Sequence, residues 1–112
     1  MRNIILSLLG IILILPCHAQ DSTWMQPLEL PIALSASFGE LRPNHFHAGL
    51  DFKTDKKCGF PIHAVQDGYI SRISVAQYGY GNCLYITHPK SGYTSVYAHL
   101  DAFNDYITAW VE

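Results

Sequence analysis

Three short segments of apolar and aromatic residues, separated by turn formers, constrain this chain more than any other feature of its sequence. Residues 69–75 divide between two faces with a period of two, which is typical of a half-buried strand. Residues 83–87 and 93–100 have a similar composition, and Gly, Pro, Asn and Ser residues separate the segments at hairpin-like intervals. The sequence therefore predicts a mainly β protein with an antiparallel meander as its core.

The alternation along residues 93–100 assigns each side chain to one face of the last predicted strand. One face carries Tyr97 and His99, so His99 is expected to point away from the apolar side. The other face is the predicted core-facing set, which consists of Thr94, Val96, Ala98 and Leu100.

One further strand and one helix are expected on either side of the meander. Residues 60–65 are predicted as a strand that ends at the turn pair Asp67-Gly68. After the meander, Asn104 can cap a short carboxy-terminal helix with an apolar stripe. Because nothing in the sequence covers that stripe, we expect the natural domain to continue beyond Glu112.

The amino terminus has the pattern of a secretory signal peptide. Arg2 precedes an apolar run over residues 4–15, and the run is followed by a small-residue exit at Ala19. The run is shorter than the about twenty residues of a membrane span, so no permanent span is expected. Acylation of Cys17, as in a lipoprotein, is the alternative. The chain is thus expected to be exported to the periplasm or cell envelope, with a signal peptide, a lead-in segment and one partial domain over residues 1–19, 20–34 and 35–112.

The charge of the chain argues against one class of partner, and its cysteine content leaves open whether a disulfide forms. Without the signal peptide the chain has six Lys and Arg residues against nine Asp and Glu, a balance of −3. No basic patch is visible, so a nucleic-acid partner is not expected. Cys58 and Cys83 could form a disulfide in an oxidising compartment or remain as two buried free thiols, and the sequence leaves both alternatives open.

His47 and Asp51 are the candidate metal ligands of this chain. Imidazole and carboxylate are both donors that zinc accepts, and Pro43 and Gly49 favour a turn that runs into a strand over a helix. The same spacing is also found in a hydrogen-bonded turn pair that holds no metal. His45 lies two residues before His47 and would point the same way in an extended segment, either as a further ligand or as an exposed side chain.

His99 is the candidate catalytic residue. Its imidazole could act as a general base or stabilise a developing oxyanion, with Tyr97 shaping the site. The alternative is an exposed histidine at the end of a strand. His63 and His88 are interpreted as structural.

Taken together, these motifs closely resemble the lysostaphin-type zinc endopeptidases, which cleave peptides of peptidoglycan. The resemblance spans about residues 35–100, and we interpret the chain as the amino-terminal part of such a domain. It is carried by Phe38-Gly39, Arg42, His47-Ala48-Gly49-Leu50-Asp51, Gly59, Pro61-Ile62, Ala64, Asp67-Gly68, Tyr80-Gly81-Asn82, Leu84-Tyr85-Ile86, His88, Thr94 and Tyr97-Ala98-His99-Leu100.

The resemblance implies a compact antiparallel β core with a groove, and a zinc ion held by His47, Asp51 and a later histidine. It also implies a catalytic role for His99, and contacts of Arg42 and Tyr97 with substrate, Arg42 holding a substrate carboxylate or a nearby acid. The His-x-His element that ends the family's site is absent from these residues, so the chain as written is expected to bind zinc weakly and to be poorly active. The alternative function is a degenerate member that binds the cell wall or regulates an envelope hydrolase.

Overall fold

The computed structural model describes residues 23–111, so the predicted signal peptide and Cys17 lie outside the described residues. Within that range the chain is mainly β, as predicted, and its strands pair antiparallel. None of its helices there is both long and apolar enough to traverse a bilayer. The elements are β1 (Leu34–Ala36), β2 (Asp51–Phe52), β3 (Tyr69–Ser74), β4 (Asn82–His88), β5 (Tyr93–Leu100) and α1 (Asp105–Thr108).

The meander forms a three-stranded antiparallel sheet in the order β3-β4-β5, which confirms the predicted arrangement. β4 is the central strand, and it carries three of the buried side chains, Cys83, Leu84 and His88. Leu28 and Ala36 complete the buried set of the described residues. Because the apolar core is so small, the hydrogen bonds of the buried His88 side chain contribute a larger share of the stability than they would in a larger core.

A β-bulge interrupts β5 shortly before its end. Asn82 pairs with Leu100 and Leu84 pairs with Tyr97, so two residues of β5 lie opposite one residue of β4. His99 is one of the two, and its φ of 57° is in the left-handed region. A bulge bends the strand and changes the direction of its side chains, which a strict alternation along β5 does not anticipate.

β1 and β2 form a second, two-stranded antiparallel sheet, with Leu34 opposite Phe52 and Ala36 opposite Asp51. The prediction that places Asp51 on a turn running into a strand is therefore confirmed, because β2 begins at Asp51.

The predicted strand over residues 60–65 is wrong. Only Ile62 forms a β-bridge, with Leu28 of the lead-in segment. The segment is instead joined to the lead-in by two further backbone hydrogen bonds, from Met25 to Val65 and from His63 to Pro27. Proline on both sides, at positions 27 and 61, removes the N–H groups that a continuous ladder needs.

The predicted faces of β5 are only partly correct. Val96, assigned to the core, is 47% exposed, whereas Ser95 and Tyr97 on the opposite face are half-buried. These two hydroxyl groups are hydrogen-bonded to each other, and that of Ser95 is also hydrogen-bonded to buried His88, so this face of β5 is covered. At the other end of the chain, Asn104 caps α1 as predicted, its side chain accepting a hydrogen bond from the N–H of Ile107 at 2.9 Å.

Candidate metal and catalytic site

A β-hairpin over residues 39–47 places the first candidate ligand. The backbone N–H of His47 donates to Glu40, and the N–H of Gly39 donates to the carbonyl of His47. Gly39 has a φ of 79°, a left-handed conformation that glycine adopts without steric cost. The hairpin ends at His47, and the chain reaches β2 four residues later. This local path, a hairpin followed by a strand, brings His47 next to Asp51.

His47 and Asp51 face each other with Nε2 of the imidazole 3.2 Å from Oδ1 of the carboxylate. The other ring nitrogen, Nδ1, lies 3.0 Å from the carbonyl oxygen of Ser37. A carbonyl oxygen only accepts, so Nδ1 carries a hydrogen and donates it. In the neutral ring, Nε2 is then a bare lone pair that faces a carboxylate oxygen. A cation between the two atoms, either a proton or a metal ion, satisfies both of them.

The second oxygen of the Asp51 carboxylate is held by Arg42. Nη2 of Arg42 lies 3.1 Å from Oδ2, and both side chains are partly exposed. The Nε of Arg42 is 4.0 Å from Glu40, which is too long for a hydrogen bond, and Nε is buried without a hydrogen-bond partner. Arg42 thus contacts a nearby acid, one of its two predicted partners, and its contact with a substrate carboxylate stays a prediction.

The described residues supply ligand types that suit a zinc ion, but they supply fewer ligands than a catalytic zinc takes. His47 and Asp51 supply a nitrogen and an oxygen donor, and a catalytic zinc takes three protein ligands. Between residues 23 and 111, His, Cys, Asp and Glu form no group of three that could hold a metal ion, so His45 does not complete the pair. His63 pairs with Glu29 at 3.2 Å instead.

A groove with a volume of about 750 Å³ is lined by one metal-ligand candidate, Asp51, and by the catalytic candidate, His99. Asp51, Tyr97 and His99 all contribute to its lining, although β2 and β5 belong to different sheets. The bulge places His99 there, and the backbone N–H of His99 donates to Tyr80 at 2.9 Å. The ring lies beside Gly81, since a Cβ at that position would be 4.0 Å from Nδ1 of His99. The structure therefore brings one ligand candidate and the candidate proton-transfer residue to one groove.

The hydroxyl group of Tyr97 belongs to a chain of hydrogen bonds beneath the groove. It accepts from the N–H of Val65 at 2.8 Å and lies 2.9 Å from Oγ of Ser95. Ser95 in turn lies 2.8 Å from Nε2 of His88, and Nδ1 of His88 lies 3.1 Å from the carbonyl oxygen of Asp67. Tyr97 therefore supports the groove through its hydroxyl, while its contact with substrate stays a prediction.

Sequence reasoning missed this chain of hydrogen bonds. The alternation along β5 does place Ser95 and Tyr97 on one face, which is the signal that could have linked them. The pairing of β5 with His88 depends on sheet register, which the alternation does not specify.

The two cysteines of the described chain are free thiols. Cys83 is buried in β4, whereas Cys58 is exposed and lines the groove, so the alternative of two buried thiols is wrong for Cys58. Burial raises the pKa of the Cys83 thiol, and the hydrogen bond with Tyr85 and the charge of Arg72 oppose that shift. Cys83 is therefore held as the neutral thiol over a wider pH range than an exposed cysteine.

Asp51 and His99 line a groove beside an antiparallel sheet, and His47 contacts Asp51, so side chains of the kinds that a hydrolase uses lie close together. The chain matches the model of Peptidase family M23 over residues 45–109, which is 65 of its 112 residues. It therefore belongs to peptidase family M23, the lysostaphin-type peptidases, and the resemblance seen in the sequence is confirmed. No curated protein and no solved structure matches the chain significantly.

Proposed function

We propose that this protein is a zinc-dependent endopeptidase that hydrolyses peptide bonds of peptidoglycan outside the cytoplasm. The observation that carries the proposal is the lone-pair geometry of His47 and Asp51, whose donor atoms face each other 3.2 Å apart in a chain of peptidase family M23. A peptidase function follows from the family alone, and the zinc ion, the substrate and the location are the proposed part.

His47 and Asp51 would hold the zinc ion, and the third protein ligand would come from outside the described residues. When bound, zinc supplies Lewis-acid polarisation of the scissile carbonyl. The hydrogen bond from Nδ1 of His47 to Ser37 keeps Nε2 free to act as a donor to the metal. Arg42 occupies Oδ2 of Asp51, which leaves Oδ1 as the atom directed toward His47.

His99 is the proposed proton-transfer residue of the groove. Its imidazole can take a proton from the attacking water or return one to the leaving amine. The left-handed φ of His99 supports this role, because residues held in sparsely populated backbone conformations concentrate at functional sites. Tyr97 forms the neighbouring wall of the groove, where a peptide can contact its ring.

The peptidoglycan substrate and the export are supported by the sequence. The first nineteen residues have the composition of a secretory signal peptide, and peptidoglycan is assembled outside the membrane. The groove is partly open to solvent, which suits a segment of an extended polymer.

A second function, binding without hydrolysis, is favoured by one observation. The described residues supply two donors where a catalytic zinc takes three. A degenerate peptidase domain that binds the cell wall or regulates an envelope hydrolase needs no third ligand.

Metal content and hydrolysis, measured on the same preparations, distinguish the two functions. The full-length protein is expected to contain one zinc per chain and to release peptides from purified peptidoglycan, and both properties should be lost in His47→Ala and Asp51→Ala. His63→Ala is the matched control, because His63 pairs with Glu29. A protein that stays metal-free and hydrolyses nothing, yet sediments with peptidoglycan, would establish the binding function instead.

A further inference from the structure

The loop that follows β2, residues 53–58, has a net positive charge, because it carries three lysines against one carboxylate, that of Asp55. Three of the chain's seven Lys and Arg residues are in it, Lys53, Lys56 and Lys57. The other cations within the described range are engaged elsewhere. Arg42 pairs with Asp51, the Arg72 guanidinium lies 5.1 Å from the centre of the Tyr85 ring, and Lys90 lies 3.5 Å from Asp67. The three lysines of the loop make no ion pair with any residue between 23 and 111.

Lys57 is the lysine of this loop that lines the groove, together with its neighbours Thr54 and Cys58. The backbone N–H of Lys57 donates to the carbonyl of Thr54 at 3.0 Å, which closes a tight turn. Because the loop starts directly after β2, the strand that begins with Asp51 also positions Lys57. The cation and the candidate metal ligand therefore line the same groove.

The groove lining has three charged residues, and their surroundings differ. The Asp51 carboxylate contacts Arg42 and His47, so its negative charge is already compensated. Asp101 lies after the end of β5, next to the strand that carries His99. Lys57 is the cation of the lining, and it is an exposed residue without an ion pair in the described range. A ligand that fills the groove and carries a carboxylate can pair with this ammonium group, whereas a neutral ligand leaves it uncompensated.

We propose that Lys57 is a specificity residue that binds a carboxylate of the peptide substrate, so that the groove selects acidic peptides over neutral peptides of the same length. The proposal rests on the peptidase function and names its substrate class. Lys53 and Lys56 add to the positive potential of the loop and increase the local concentration of acidic peptides. An exposed ammonium group is a point charge on a flexible stem, so the selectivity should be moderate and sensitive to salt.

The test uses pairs of synthetic peptides that are identical except for one Glu in place of Gln. Binding to the full-length protein is measured by fluorescence anisotropy with a labelled peptide, at low and at high ionic strength. The Glu peptide should bind about 2- to 5-fold more tightly than the Gln peptide at low ionic strength, and this ratio should shrink in salt. Lys57→Gln should reduce the Glu-to-Gln ratio to about one. Lys57→Glu should bring that ratio below one and should favour a Lys-containing peptide instead.

Two controls separate a local contact from an effect of net charge. Lys90→Gln removes the same charge from the turn between β4 and β5, outside the groove lining, and should leave the Glu-to-Gln ratio unchanged. Asp101→Asn makes the net charge inside the groove more positive, and it should increase the Glu-to-Gln binding ratio only slightly. If Lys90→Gln lowers the ratio as much as Lys57→Gln does, the specificity proposal is overturned.

Hydrolysis is followed in parallel, so that the two proposals fail separately. Binding selectivity that depends on Lys57, without cleavage of any peptide, would reject the endopeptidase function and leave a groove that binds acidic peptides. Cleavage of Glu and Gln peptides at equal rates, with equal affinities that Lys57→Gln does not change, would reject the role of Lys57 alone. Absence of binding by either peptide would also reject it.

Discussion

The hydroxyl oxygen of Tyr97 accepts a hydrogen bond from the backbone N–H of Val65 at 2.8 Å. This contact joins β5, which carries His99, to the segment that pairs with the lead-in. Through Ser95 the same hydroxyl is linked to His88, which is 1% exposed and hydrogen-bonded at both ring nitrogens. The wall of the groove is thus tied to a buried histidine by hydroxyl groups, in a part of the sheet with few buried apolar side chains.

Tyr97→Phe should therefore destabilise the protein. The substitution leaves the N–H of Val65 without its acceptor and removes one of the two hydrogen-bond partners of Ser95, and an unsatisfied, partly buried donor costs about 1–3 kcal/mol. Urea unfolding measures the change. Tyr93→Phe is the matched control, since Tyr93 is 61% exposed and should change the free energy of unfolding by less than about 0.5 kcal/mol. Equal effects of the two variants would mean that the Tyr97 hydroxyl has no structural role.

Gly68 lets the chain approach His88 closely. A Cβ at this position would lie 2.3 Å from the carbonyl oxygen of Thr87 and 2.8 Å from Nδ1 of His88. Because the first of these atoms is backbone, it cannot move aside as the end of a side chain would. Gly68→Ala should cost about 3 kcal/mol or more in the free energy of unfolding, or prevent folding.

Gly49→Ala provides the comparison for that substitution. A Cβ at Gly49 would meet its nearest neighbour, Nε2 of His47, at 3.9 Å, which is an ordinary contact. Thermal unfolding of the two variants should therefore differ by many degrees. A Gly68→Ala protein as stable as Gly49→Ala would show that the turn before β3 does not pack against β4 as described.

Local patterns in the sequence predicted some elements accurately because the interactions that form them are local. The bounds of β5, Tyr93–Leu100, and the cap of α1 at Asn104 agree with prediction. Alternation and capping depend on residues within a few positions of each other. The pairing of His47 with Asp51 also joins neighbours, and it follows from the short path between the hairpin and β2.

Features that depend on contacts between distant segments were not predictable in this way. The bulge that contains His99 exists only relative to the register of β4, which alternation along β5 does not reveal. The sequence allows Arg42 either a substrate carboxylate or a nearby acid as its partner, because both suit a guanidinium group, and only the structure shows that the acid is Asp51. The strand over residues 60–65 failed because its pairing partner, the lead-in, provides only one bridge.

The two thiols should differ strongly in reactivity. Cys58 is exposed and should react with a thiol reagent such as DTNB within the mixing time or shortly after, whereas Cys83 should react only when the protein unfolds. Two fast-reacting thiols in the mature, folded protein would contradict the burial of Cys83. The absence of any thiol before reduction would instead indicate a disulfide between the two residues.

The pKa of Cys83 also gives stability a pH dependence at alkaline pH. Because burial raises this pKa in the folded state, the folded protein binds the thiol proton more tightly than the unfolded chain does. The contribution of Cys83 to stability is thus fully present below the unfolded pKa of about 8.5 and is lost as the pH rises through the folded pKa. The Cys83→Ala variant should lose less stability than the unmodified protein between pH 8 and pH 10, as urea midpoints at a series of pH values would reveal. Parallel pH profiles of stability for the variant and the unmodified protein would contradict this prediction.

Arg42 should act on the metal through Asp51. Its Nη2 holds Oδ2 of that carboxylate at 3.1 Å, and loss of such a partner of a metal ligand typically lowers metal affinity about 10- to 100-fold. Arg42→Ala is therefore expected to weaken zinc binding by that factor in a competition titration with a chelating dye. Arg42→Lys should recover part of the affinity, since it keeps the charge but not the planar fork. Arg72→Ala, which removes a cation outside the hairpin, is the control and should leave zinc affinity unchanged. If Arg42→Ala binds zinc as tightly as the unmodified protein, Arg42 does not orient Asp51, and its contact with a substrate carboxylate becomes the remaining explanation for an arginine at this position.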